Sequence, residues 1–335
     1  MIAVTGSTGF IGSDVVARLL KEGVAPEKIL LLGRKKPLPQ SSLLWRRLKQ
    51  YGLENFFDHL KFHVCDFENL EKLQTSLDSL QEIPKVFIHM AAVIHATAAE
   101  SKVQRTLNVD VTLALAEWGV GKLEHFIFLS SAVSWGLTFH QKTRSEKDFN
   151  QWLSLNNDFP YFATKREAHV ALLKMADRLR ISLLCPSIVH GSLESEKSSR
   201  RHLLKMREGS LNLAPGGGNN VVALERVSQG VVNAALSAQG QSPFVQLLVG
   251  ENLRYGDYFQ RYVNFARGPQ AQKLRVLPSW IGYLLIPPFW LLCRLGLHIG
   301  FMESLIQSSF FIYVKSEATL PNSPKTDEAL KSALL

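Results

Sequence analysis

Tyr161 and Lys165 are the residues in this sequence best placed to move a proton. They stand four apart where a helix is expected to begin, so their side chains share one face. A free phenol has a pKa near ~10, too high for proton exchange at neutral pH. A nearby ammonium favours the phenolate and lowers that value, so the lysine is expected to activate the tyrosine. Ser131, at the end of an expected strand, is placed to hydrogen-bond the reacting oxygen. Asn108 is expected to orient the lysine through backbone and water. Such a set suits proton transfer at a carbonyl or alcohol oxygen while a nicotinamide moves the hydride. A Tyr-x-x-x-Lys pair alone is common on helix surfaces, so the elements that position it decide the reading.

Those elements start at the first residue. The apolar run Ile2-Ala3-Val4 leads into Thr5-Gly6-Ser7-Thr8-Gly9-Phe10-Ile11-Gly12, then into an amphipathic stretch carrying Val15, Val16, Leu19 and Leu20. Strand, glycine turn and helix in that order form a dinucleotide site. Gly6 permits the tight turn, Gly9 lets backbone approach a pyrophosphate, and Gly12 lets the helix pack close. The helix N-terminus offers free N–H groups and its positive dipole end to phosphate. Residues 29–32 read as a second buried strand, followed by Gly33, Arg34, Lys35 and Lys36. A site that prefers NAD places an acid there for the ribose 2′-OH. Cations instead suit a 2′-phosphate, so NADP is the expected cofactor and NAD the alternative.

Further strands are expected at 62–65, ended by Asp66 and Phe67; at 86–88, running into His89-Met90-Ala91-Ala92; at 126–129; and at 181–185, closed by Pro186. Helices are expected at 103–118, 161–180 and 227–236, and residues 245–249 are expected to return to the sheet. Alternation of strand and helix gives an α/β fold with a doubly wound parallel sheet. Ligands of such sheets bind beyond the carboxyl ends of the strands, where Gly6, Arg34, Asp66, Ala91 and Ser131 fall. The expected division is a dinucleotide-binding domain over 1–186, joined again by 227–250. Residues 187–226 and 251–335 form a smaller, mostly helical substrate-binding region. Asp14, Glu22 and Glu27 read as solvated faces.

In its motifs the chain resembles the extended short-chain dehydrogenase/reductase family, which has the Rossmann fold. Residues 5–12 are similar to that family's Thr-Gly-x-x-Gly-x-x-Gly fingerprint. The His89–Ala92 segment is similar to its His-x-Ala-Ala segment, and Asn108-Val109 to its Asn-Val stretch. The resemblance implies catalytic roles for Ser131, Tyr161, Lys165 and Asn108, and an adenine contact for Asp66. It implies nicotinamide contacts around Pro186 and Ile188, and a hold on ribose by Lys165. Residues 216–227 and 315–320 resemble later landmarks of the family. Cys185, His190 and Trp135 depart from it, where arginine, tyrosine and tyrosine are common.

Composition narrows the partners. The net charge is +9 and the pI near 9.4, which suits an anionic partner. No zinc-finger or RNA-binding signature accompanies the cations, so no nucleic acid is expected. His63, His95, His140, His169 and His202 show no metal spacing. Cys65, Cys185 and Cys293 are far apart, which fits a reducing, cytoplasmic compartment. No signal peptide is expected ahead of the first strand. Residues 276–293 carry no Asp, Glu, Lys or Arg and are rich in Trp, Leu and Ile. Pro287-Pro288 opposes a spanning helix. The stretch reads either as a lid over the substrate cleft or as a patch that docks on a membrane. The function expected is NADP-dependent oxidoreduction of a carbonyl or secondary alcohol on an apolar, lipid- or steroid-like small molecule. A sugar-nucleotide epimerase or dehydratase with bound NAD is the alternative, to which Arg200, Arg201 and Arg207 would contribute. By analogy with the family, a homodimer is expected.

Overall fold

From the N-terminus the chain runs through β1 (Ile2–Thr5), α1 (Phe10–Lys21), β2 (Ile29–Gly33), α2 (Leu43–Gln50), β3 (Lys61–Val64), α3 (Leu70–Asp78) and β4 (Val86–His89). It continues through α4 (Ser101–Arg105), α5 (Val111–Gly119), β5 (His125–Leu129), α6 (Pro160–Leu173), β6 (Ile181–Pro186), β7 (Ile188–His190) and α7 (Arg200–Glu208). Then come β8 (Leu213–Ala214), β9 (Gly218–Ala223), α8 (Leu224–Leu236), β10 (Phe244–Leu248), β11 (Glu251–Arg254) and α9 (Tyr255–Arg267). The last elements are β12 (Arg275–Val276), α10 (Ser279–Leu284), α11 (Ile286–Arg294), α12 (Gly300–Gln307), β13 (Phe311–Ile312) and α13 (Thr326–Ser332). This computed structural model describes residues 1–94, 101–193, 200–237, 242–297, 299–317 and 326–334. The expected landmark at 315–320 therefore lies partly outside the described residues, as does His95 entirely.

Seven parallel strands form the main sheet in the order β10-β6-β5-β4-β1-β2-β3. The order reverses between β1 and β4, and a parallel sheet opens its ligand crevice at such a reversal. Strands buried on both faces must send apolar side chains both ways. Ala3, Leu30, Leu32, Phe87, Phe126 and Phe128 enter the core beneath Leu73, Leu77, Leu115 and Leu172. Ile2, Val4, Leu31, Ile88 and Ile127 enter the opposite core, beneath Val15, Val16, Leu48, Val227 and Val231. The last strand of the sheet, β10, pairs with β6 from Phe244 to Leu248.

Two expected helices are corrected, and the substrate region gains a sheet. The helix expected over 161–180 ends at Leu173. Bonds from Met175 N to Leu172 O and Arg178 N to Met175 O continue it as tighter turns, with Met175 and Leu179 still buried. Apolar periodicity therefore outlasts the helix. The substrate region is mostly helical, as expected, and also carries a second, four-stranded sheet, in which β9 lies between β11 and β13 and pairs with β7. Its strands are short, and β9 reads Gly-Asn-Asn-Val-Val-Ala, with no alternation to betray it. Finally, the helix expected over 103–118 is α4 and α5 joined by a π turn, Thr106–Asp110.

The stretch over 276–293 folds as two short helices. They part at Leu285, and Pro287 and Pro288 start the second one, where a missing N–H costs least. Among the described residues no helix is long and apolar enough to cross a membrane.

Candidate active site

The glycine turn takes the shape its residues require. Gly6 has φ +71°, and a side chain there would meet the Ala91 backbone at 2.8 Å. A side chain at Gly12 would lie 2.1 Å from the Gly6 carbonyl oxygen, so the helix can approach only without one. Gly9, by contrast, meets only the Gly6 carbonyl oxygen, at 3.2 Å, and stays open on its other side. It caps α1 with no side-chain hydrogen bond and no acid in the first turn. These N–H groups face a cavity, and an anion is the partner that such a helix end accepts. The cradle therefore fits a dinucleotide pyrophosphate.

That cavity holds about 590 Å³ and brings together residues far apart in sequence. Gly6, Gly9, Phe10, Ile11 and Gly12 line one side, and Ala92, Pro186 and Ile188 lie near them. Ser131, Tyr161 and Lys165 line the same space. Val133, Leu137, Phe162 and Ile312 give it apolar walls, with Asn219, Tyr255 and Gln307 as polar additions. Among the described lining residues Lys165 is the only charged side chain. A smaller slot of about 120 Å³ is lined by Arg34, Phe67, Ala91, Ala92 and Val93. Ser7 is buried, Thr8 and Lys35 are exposed, and none of these three lines either space. Asp66 also lies outside both; it accepts from Glu68 N and stands 3.8 Å from Lys72 Nζ. Of the arginines expected to hold a sugar nucleotide, Arg207 lines neither space. Arg207 is exposed, and the side chains of Arg200, Arg201 and His202 lie outside the described residues.

At the floor, Ser131 caps a short turn and accepts from Val133 N at 3.3 Å. Lys165 Nζ donates to the Leu129 carbonyl at 3.0 Å and lies 4.7 Å above the Phe128 ring. Burial acts on both titrating groups. It pushes the Tyr161 phenol up to about 12, with the Ser131 hydroxyl acting the other way. It pulls the Lys165 ammonium down to about 8. The lysine was expected to lower the tyrosine's pKa, and here the loss of water outweighs any such help.

Asn108 does something more specific than expected. Its amide oxygen accepts from Val93 N and its nitrogen donates to Val93 O, both at 2.8 Å. The same nitrogen reaches Thr164 Oγ1 at 3.3 Å, one residue before Lys165. A chain of bonds the sequence did not reveal continues from it. Thr112 Oγ1 donates to the Asn108 carbonyl at 2.9 Å, so His89 Nε2 must donate to Thr112. His89 Nδ1 then accepts from Thr5 Oγ1 at 2.7 Å, and Thr5 accepts in turn from Met90 N and Ala91 N. Burial holds the His89 imidazole near a pKa of about 3, so it stays neutral. This chain fixes the 90–93 segment against both the glycine turn and the lysine's helix. The one sequence signal for it was the His89–Ala92 segment; Thr112 gave none.

Asp14 is the second correction at this end of the sheet. It is not solvated but 1% exposed. Arg18 Nε lies 2.7 Å from its Oδ2 and Arg47 Nε 3.6 Å from its Oδ1. Tyr51 donates to Oδ1 at 2.9 Å, and Ser228 from α8 donates to Oδ2. Arg47, itself buried, also donates to Ser192 Oγ at 2.9 Å and to its carbonyl at 2.7 Å. The cluster ties α1, α2, α8 and the loop after β7 together.

Comparison with known proteins agrees with this architecture. Residues 4–211 match the model of an NAD-binding family described as male sterility protein. The chain is 26% identical over 285 residues to the L-2-aminoadipate reductase large subunit of Eremothecium gossypii, covering 77% of this chain. It spans only about a fifth (20%) of that curated relative's length. The terminal R domain from the myxalamid PKS-NRPS biosynthetic pathway shares its fold, with TM-score 0.71 and 17% identity over 99% of this chain and 89% of that one. So does UDP-glucose 4-epimerase from Thermotoga maritima, with TM-score 0.62 and 16% identity over 99% and 97%. The chain belongs to the male sterility protein family, within the extended short-chain dehydrogenase/reductases, whose members are NAD(P)-dependent enzymes.

Proposed function

We propose that this chain is an NADP-dependent reductase that delivers hydride to a carbonyl of an apolar substrate, or oxidises the matching secondary alcohol. One observation carries the reading. The cavity that joins the glycine turn to Ser131, Tyr161 and Lys165 is walled by apolar side chains, and Lys165 is its only charged described lining residue. Its volume of about 590 Å³ takes in the dinucleotide's glycine cradle together with the space for a small organic substrate. A sugar nucleotide brings a diphosphate of its own, which would need cations at the far wall. The curated relative named as a reductase favours reduction over epimerisation.

When bound, the nicotinamide supplies the hydride to the carbonyl carbon or accepts it from the alcohol. Ser131 and Tyr161 hydrogen-bond the carbonyl oxygen and hold the carbon in reach. Tyr161 gives its proton to the oxygen as the negative charge develops, and Lys165 stabilises the phenolate left behind. A phenol held near a pKa of about 12 keeps its proton until that moment, as a general acid must. Arg34, at the end of β2 and beside the small slot, is the cation proposed for a 2′-phosphate. It now pairs with Glu68 at 3.2 Å, and the two side chains are 71% and 61% exposed, so the contact is free to exchange.

The test is NADPH consumption by purified protein with apolar aldehydes and ketones, compared with Tyr161→Phe. The variant should bind NADPH normally and lose about 10²- to 10⁴-fold in turnover. Unchanged turnover in Tyr161→Phe, or conversion of UDP-glucose without net NADPH consumption, would overturn the proposal.

A further inference from the structure

From the cap helices α10 and α11 we infer that this protein docks on the surface of an anionic lipid bilayer. Nineteen large apolar side chains are exposed among the described residues, and eight of them fall within residues 276–299. Val276, Trp280, Leu284, Trp290, Leu291, Leu295, Leu297 and Ile299 are between 43% and 67% exposed. Scattered apolar residues are ordinary on a protein surface, whereas a cluster of this kind marks an interaction site.

The two helices also have an inward side. Phe289, the neighbour of Trp290, is fully buried and stacks on Phe159 at 6.0 Å. Gly282 packs so close to Ser309 that an added side chain would meet its hydroxyl at 2.1 Å. Tyr283 packs edge-on against Phe310. The inward residues thus fix the two helices, and the outward tryptophans and leucines are left over from that packing.

Charge identifies the occupant. Between Asp257 and Glu303 the sequence holds no Asp or Glu, but it holds Arg261, Arg267, Lys273, Arg275 and Arg294. Arg261 pairs with Glu251 at 2.8 Å. Arg267, Lys273, Arg275 and Arg294 are exposed. The Arg294 guanidinium lies 3.7 Å from the Trp290 ring centre. The carboxylates of Asp158 and Glu303 act on the Cys293 thiol, which packs against the sheet's core. Tryptophan beside arginine, in a stretch of 45 residues (258–302) that itself holds no Asp or Glu, matches the boundary between headgroups and acyl chains. The apolar tips enter the boundary while the arginines reach the anionic headgroups. A protein partner would need a carboxylate for Arg294 and a complementary apolar surface; the bilayer supplies both at once. The helices are too short to span, so the contact is with one leaflet.

On the reductase reading, the arrangement also delivers substrate. Gln307 ends α12, the helix against which α10 packs, and it lines the cavity with Ile312. An apolar substrate could pass from the leaflet to Tyr161 with little exposure to water. Docking itself does not depend on that reading, because its test involves no catalysis.

The experiment is flotation of purified protein with phosphatidylcholine vesicles, with and without phosphatidylserine, at low and at high salt. The natural protein should float with the anionic vesicles at low salt and be released as salt rises. Trp280→Ser combined with Trp290→Ser and Leu291→Ser should cut binding by more than about tenfold. Arg294→Gln should cut binding to anionic vesicles about fivefold and leave the weak binding to neutral ones unchanged. Melting temperatures should match, since these side chains are exposed. Protein that stays at the bottom of the gradient with anionic vesicles overturns the inference, as does a triple variant that floats normally. So does a dimer in sedimentation that the triple variant abolishes, which would assign the face to a second copy.

Discussion

Asp14 and Lys165 are both almost wholly buried, at 1% and 2% exposure, yet the chain treats the two charges in opposite ways. Around Asp14 stand two guanidiniums, a phenol and a hydroxyl, each aimed at a named carboxylate oxygen. Around Lys165 stand one carbonyl and one aromatic face. Among the described residues no carboxylate pairs with it. A buried charge that only holds helices together can be satisfied fully, because nothing needs to change there. On the proposed function, a buried charge that works on a substrate is left short, so that the ligand completes it. The first site is a joint and the second is an opening.

Removing each charge should break this comparison in a defined direction. The largest effect is expected at the joint. Asp14→Ala leaves Arg47 buried beside Arg18 with only the Glu225 carboxylate still acting on the two, and breaking such a pair costs about 3–5 kcal/mol. Denaturant unfolding should show the loss. A change under about 1 kcal/mol would mean that Ser192 and Gln50, which also bond Arg47, satisfy it without the acid.

At the opening the sign reverses. Burial lowers the Lys165 ammonium from its ordinary 10.5 to about 8, so the unfolded chain holds this proton more tightly. The cost to stability is complete below pH 8 and fades as pH rises from about 8 to about 10.5. Lys165→Met should therefore gain up to about 3 kcal/mol at pH 7. That gain should vanish near pH 10.5, with turnover lost throughout. A variant less stable than the natural protein at pH 7 would show that the Leu129 bond and the Phe128 contact outweigh the buried charge.

The smallest effect on stability belongs to a third charge. Arg34 and Glu68 form an exposed pair, and such pairs are worth little, so Arg34→Ala should change stability by less than about 0.5 kcal/mol. Its effect should appear in NADPH affinity, with a loss of about 10- to 100-fold and no change for NADH. Equal losses for both nucleotides would remove the argument for a 2′-phosphate.

Much of this was legible in the sequence where the cause is local. The strand, the three glycines and the helix lie within residues 2–21; Gly9 and Gly12 answer to the Gly6 carbonyl inside that span, and Gly6 alone also meets a distant segment, at Ala91. Tyr161 and Lys165 declare themselves by spacing on one helix. What stayed hidden depends on partners brought from afar. Asp14 sits on an amphipathic helix where a polar residue reads as solvated, and Ser228, which bonds it, stands 214 residues away. The second sheet is built of strands of two to six residues, too short for a period to emerge. Spacing predicted a tyrosine activated by its lysine, but burial, a property of the whole fold, set the phenol's pKa.

The π turn at Thr106–Asp110 has a consequence for the length of the chain rather than its chemistry. Val111 N bonds Thr106 O, five residues back, so the turn holds one residue more than an α turn would. A chain one residue shorter between Arg105 and Val111 would close into a continuous helix, more regular than the one observed. Each residue of helix advances the side chains by about 100° around the axis. Everything on the N-terminal side of the closed turn would swing by that amount relative to α5, and Gln104, which holds the Val93 carbonyl at 3.0 Å, would leave it. The helix therefore tolerates substitution more readily than deletion here: its extra residue works as a spacer that sets two faces of one rod at the angle the 90–93 segment needs.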